Sequence, residues 1–109
     1  MKKLFVTLTA VIFMLGGSLT AQAYTETVSG VQCHCSISGR NVFAYTAASG
    51  TVTVTSTAYN KAGNSIGGNG NAANGYASVN YNASGDIYYA EQTHTAPNSG
   101  VSVTLRQYA

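Results

Sequence analysis

The chain has 109 residues, five Lys and Arg against three Asp and Glu, and a formal net charge of +2. Lys2 and Lys3 sit at the extreme N-terminus, so residues 24–109 balance Arg40, Lys61 and Arg106 against Glu26, Asp86 and Glu91. Three scattered cations cannot displace the counterions of a nucleic acid or build the basic face of a membrane-surface helix, which excludes both partners.

The first 23 residues read as a cleavable signal peptide of bacterial type. Lys2 and Lys3 form the positive start, Leu4 to Leu15 are apolar apart from Thr7 and Thr9, and Gly16-Gly17-Ser18 follow. Ala21-Gln22-Ala23 then puts small side chains where signal peptidase cuts, so cleavage is expected between Ala23 and Tyr24. The apolar stretch is shorter than the roughly 20 residues of a membrane span. The polar–apolar alternation of Val101 to Ala109 cannot anchor the other end. The expected product is a soluble domain, residues 24–109, in the periplasm or the medium.

That domain is built for strands and turns. Thr, Ser, Val, Tyr, Asn and Gly dominate it, there is no Trp, and Phe43 and eight Tyr are the aromatics available to a core. Val31, Cys33, Cys35 and Ile37 alternate with Gln32, His34 and Ser36, which predicts a strand, and Ser38-Gly39-Arg40-Asn41 turns it. Val42 to Ala47 is a second strand, Ala48-Ser49-Gly50 a turn, and Thr51 to Tyr59 a third strand with Val52 and Val54 inward. Asn60 to Gly75 is rich in Gly and Asn with Ile66 its one large apolar residue, and reads as a flexible loop with a short edge strand at most. Tyr76 to Asn82, Ile87 to Thr95 and Val101 to Tyr108 complete the strands, separated by Ala83-Ser84-Gly85-Asp86 and Pro97-Asn98-Ser99-Gly100. Six strands result, or seven if Tyr24 to Val28 pairs separately. The expected fold is all-β, a small antiparallel β-sandwich of immunoglobulin-like strand count, without the Cys…Trp…Cys pattern of true immunoglobulin domains.

The unusual motif is Cys33-His34-Cys35. Residues two apart on a strand lie on one face roughly 6.5 Å apart, whereas a disulfide needs Cβ atoms about 3.5–4.5 Å apart. A local bridge is therefore strained, and strained bridges are readily reduced, which makes Cys33 and Cys35 redox or disulfide candidates. The competing readings are small apolar core residues, an intermolecular bridge, or a thiolate pair completed by His94, Glu91 or Asp86 as metal ligands. No metal or cofactor is assigned.

Catalysis is not expected. His34 or His94 with a Ser and Asp86 or Glu91 can be drawn as a triad, but such sets arise by chance and no nucleophile-elbow motif accompanies this one. Asp86 sits in a turn, where its carboxylate already has a structural role. Tyr76, Tyr81, Tyr88 and Tyr89 are the candidate surface-binding residues, because adjacent Tyr88 and Tyr89 must point to opposite faces and some Tyr must lie outside the core. The opposing reading is cross-strand aromatic packing. Outward Thr51, Thr53 and Thr55, with Thr25/Thr27 and Thr93/Thr95, invite an ice-binding reading. That needs threonine pairs in register on neighbouring strands, and the sequence carries no fixed repeat; Thr is in any case a favoured strand residue.

Two resemblances follow from these motifs. Val42 to Glu91, with Thr51–Thr57, Gly75-Tyr76-Ala77 and Ile87-Tyr88-Tyr89-Ala90, resembles the secreted bacteriocins of lactococcin-972 type. That resemblance implies a secreted antimicrobial, although this chain has no Trp and continues past Tyr89. Cys33-x-Cys35 near the start of a small exported β-domain is similar to the curli-assembly protein that suppresses amyloid formation, which implies a redox or chaperone-like role. The leading expectation is a non-enzymatic secreted protein that binds a protein or cell-surface partner, or assembles with itself.

Overall fold

The computed structural model describes residues 6–9 and 22–109. Seven strands follow in chain order: β1 (Val6–Thr9), β2 (Gln22–Val28), β3 (Val31–Ser38), β4 (Asn41–Tyr59), β5 (Ser65–Asn82), β6 (Tyr89–Ala96) and β7 (Val101–Tyr108). A 3-10 turn, Pro97–Ser99, joins β6 to β7, and no α-helix occurs among the described residues. The expected signal peptide falls mostly outside the described residues. Within its bounds Val6–Thr9 forms β1, and Gln22 and Ala23 open β2.

The strands form one sheet in the order β1-β7-β6-β4-β3-β2, with β5 on the remaining side of β4. β2 to β7 pair antiparallel and bend into a nearly barrel-like shape, while β1 lies parallel to β7. Tight turns explain the hairpins. Ser29 and Gly30, both at positive φ, close β2 onto β3 as a two-residue hairpin loop requires.

The shape depends on β4. Its first half, Asn41–Ala47, pairs with β3, and its second, Thr53–Tyr59, pairs with β6, while β5 runs along the other flank of both. Between the halves the register with β5 shifts across Ala47 and Thr51. The sequence predicts a turn at Ala48-Ser49-Gly50; the chain makes a bulge there and continues as one strand. Gly50 on β4 (φ 84°) and Gly75 on β5 (φ 86°) lie within the same bend, so both strands deflect together. A Cβ on Gly50 would overlap the Asn98 side chain, which packs against the bend.

Asn60 to Gly75 is likewise not a loop. The connection is only Asn60–Asn64, tied by Gly63 N–H to the Asn60 carbonyl (3.0 Å) and by Asn64 N–H to Asn60 Oδ1 (2.9 Å). Ser65 then opens an 18-residue strand paired along β4. The glycines serve close approach rather than freedom, since a Cβ on Gly68 would stand 2.8 Å from the Ser56 carbonyl oxygen.

The inner faces of the bent sheet meet in a core of Val, Ala, Ile, Leu and Cys: Val31, Cys33, Cys35 and Ile37 from β3, Val42, Ala44, Val52, Val54 and Ala58 from β4, and Val101, Val103 and Leu105 from β7 among them. Among the described residues Phe43 and the tyrosines, the aromatics available to a core, supply no fully buried ring. Phe43, Tyr45, Tyr59, Tyr76, Tyr89 and Tyr108 sit at the alternate positions, which face outward, while Tyr81 packs against the core.

Candidate functional site

Outward positions on β4, β6 and β7 line up in rows across the sheet. Tyr59, Tyr89 and Tyr108 form one row, Thr57, Glu91 and Arg106 the next, then Thr55, Thr93 and Thr104, then Thr53, Thr95 and Ser102. Tyr59 and Tyr89 stack with centroids 4.9 Å apart, and Tyr108 tilts against Tyr89 at 5.4 Å. The Arg106 guanidinium lies 4.3 Å above the Tyr89 ring and donates to Glu91 Oε2 at 3.2 Å and to the Tyr108 hydroxyl at 3.4 Å. A cation over a ring contributes about 0.5–1 kcal/mol at such a site. The Tyr108 phenol first, then Glu91, hold the Arg106 proton more firmly than usual, against the opposing effect of burial.

Tyr88 completes the cluster from the connection before β6. Its N–H bonds to the Tyr59 carbonyl (2.8 Å) and its carbonyl accepts from Ala109 N–H (3.1 Å), which fixes its backbone. Its ring meets Tyr89 and Tyr108 edge-on at 6.0 and 5.4 Å and remains 47% exposed. The result is four phenols and a held guanidinium at one end of a sheet face whose remaining rows are hydroxyls. Thr53 bonds Thr95 and Thr93 bonds Thr104 (3.2 Å), so the threonines do stand in register on neighbouring strands, contrary to the sequence expectation.

A second aromatic row crosses the outer face of the other half. His34 on β3 stacks on Tyr45 of β4 at 4.9 Å, Tyr45 tilts against Tyr76 of β5 at 5.0 Å, and Phe43 tilts against both His34 and Tyr45. Thr25 on β2 bonds His34 Nδ1 at 2.7 Å, and partial burial lowers the His34 pKa.

The interior holds the remaining reactive groups. Cys33 and Cys35 are free, buried thiols; burial, with the charge of Glu26 adding to it for Cys33, pushes each up to about 12. A thiol so protonated is a poor nucleophile and a poor metal ligand. His94 is buried and bonds Thr46 through Nδ1 at 2.7 Å, and burial lowers it to about 4 against the pull of the Tyr45 carbonyl. Among the described residues, no three His, Cys, Asp or Glu side chains gather closely enough to hold a metal ion. Asp86 pairs with Arg40 (3.2 Å) and Glu91 with Arg106 (3.2 Å), so the two carboxylates do not face each other.

The four tyrosines singled out by sequence do not form one surface. Tyr88 and Tyr89 share the Arg106 cluster, Tyr76 belongs to the opposite outer face, and Tyr81 turns inward, where its hydroxyl bonds Ser56 Oγ at 2.7 Å and burial raises its pKa. Sequence reasoning missed Tyr59, Tyr108 and Arg106. The shared outward parity of Tyr108 and Arg106 on β7 was the available signal, but their junction with Tyr59 depends on β6 pairing with β4. These features define an all-β protein with aromatic rows on two outer faces. Comparison with protein-family models, with curated proteins and with solved structures gave no match.

Proposed function

We propose that the chain is an exported, non-enzymatic binding protein, released by cleavage after Ala23, whose contact surface is the Tyr88–Tyr89–Arg106 face. The bent sheet is then a small sandwich, with β4 and β5 shared by its two leaves. The observation that carries the reading is Tyr88: a half-exposed ring on a backbone fixed at both polar groups, beside a guanidinium already held in place. Little side-chain order has to be gained on binding, and aromatic and Arg side chains supply most of the energy at protein contact surfaces. Both histidines are engaged elsewhere, His34 by Tyr45 and Thr25 and His94 by Thr46, which disfavours acid–base work. The raised, buried thiols count against a redox role for the Cys pair.

Retention of purified residues 24–109 on washed cells of the producing culture tests this reading. Tyr88→Ser and Arg106→Gln should each reduce retention, while Tyr76→Ser on the opposite face should not. Equal retention of all variants would refute the assignment of this face.

A further inference from the structure

The sheet has three flanks with which no strand within residues 24–109 pairs, and they are not alike. Along β5 the amides of Gly70 and Ala72 are taken by the side chains of Asn69 (2.8 Å) and Asn71 (2.9 Å), so that edge carries its own block. β2 carries Glu26, a charge within the strand. β7 from Val101 to Leu105 has no charge, no proline and no such side-chain cap. Its free flank is occupied instead by β1, in the register Val6 with Val101, Thr7 with Ser102, Leu8 with Val103 and Thr9 with Thr104.

β1 lies inside the segment read as a signal peptide. On that reading, cleavage after Ala23 removes the β7 neighbour and uncovers a strand edge whose inward residues, Val101, Val103 and Leu105, are buried in the full chain. We infer that the β7 edge of the processed chain is a self-association surface, and that its occupant is a second copy paired β7 to β7. Antiparallel pairing about a two-fold axis makes the contact self-complementary and leaves no further β7 edge to extend. A register that keeps Val101, Val103 and Leu105 on the inner side continues the alternation across the contact. Charge offers no opposition, since residues 24–109 balance three cations with three anions. In the unprocessed chain β1 occupies the same edge, so pairing between copies is withheld until export.

Sedimentation of residues 24–109 and of residues 1–109 over a concentration series tests the inference. The short chain should form a dimer and the long chain remain a monomer. A peptide of residues 5–10 in excess should return the short chain to monomer. Ser102→Lys/Thr104→Lys sets like charges against each other across the contact and should weaken the dimer about tenfold or more. Ser49→Lys/Thr51→Lys, which adds the same charge at exposed positions of β4, should not. A short chain that stays monomeric, or a dimer indifferent to both the peptide and the β7 lysines, would overturn the proposal. An intact Met1 on protein recovered from the native host would refute the processing step alone, leaving the comparison of the two chains to judge the edge.

Discussion

Thr46 and His94 join the two halves of the bent sheet through one buried hydrogen bond of 2.7 Å. Thr46 spends its only proton on the Thr53 carbonyl (2.8 Å), so its oxygen accepts from Nδ1–H of His94. His94 is therefore the neutral Nδ1–H tautomer, and its buried Nε2 has no hydrogen-bond partner. Protonation would put a charge in the buried interior, a cost that the Tyr45 carbonyl offsets only in part.

Stability should accordingly fall on acidification. The unfolded chain takes up the His94 proton near 6.5, while the folded chain resists until about 4. Between those values the unfolded state binds more protons, so stability declines as pH drops through that window and the contribution levels off below it. The shift corresponds to about 3 kcal/mol. Urea midpoints at pH 7 and pH 4 measure it, and His94→Gln should flatten the difference. An unchanged slope in that variant would show that other groups cause the acid sensitivity.

The thiols should be silent in the folded protein. Cys33 and Cys35 are 0% and 1% exposed and protonated up to about 12, so a disulfide-exchange reagent at pH 8 should titrate neither until denaturant is added. Rapid reaction of both thiols in the native state would place them at the surface.

Two glycines should respond oppositely to the same change. Gly68→Ala forces a Cβ to within 2.8 Å of the Ser56 carbonyl and should cost about 1–3 kcal/mol through displacement of β5 from β4. Gly85→Ala meets nothing within 4 Å and should be neutral or stabilise by about 0.4–1 kcal/mol through the unfolded chain. Thermal melts of both variants decide the matter; equal midpoints would mean that β5 does not lie tightly on β4.

Alternation made the strands legible. Val31 to Ile37, Val42 to Ala47, Thr51 to Tyr59 and Val101 to Tyr108 carry one buried and one outward face each, and burial follows that parity strand by strand. Glycine misled, because composition does not distinguish a residue that permits motion from one that permits contact. Gly68 and Gly70 belong to the second kind, and Gly50 marks a bulge where a turn was read. The site was half visible. Tyr88 and Tyr89 stood out as a pair, but Tyr59 is about thirty positions away and joins them only because β6 crosses to the far flank of β4, a long-range choice that no local pattern records.

The shared hairpin of β4 and β5 also dictates how the molecule comes apart. Both strands pass through the bend, so β2 and β3 on one side and β6 and β7 on the other depend on the same two strands. Loss of pairing at Asn41–Asn82 and at Tyr59–Ser65 are losses from the same two strands. Melting of either half frays strands that the other half needs, so unfolding is expected as a single all-or-none event rather than a sequence of partial openings.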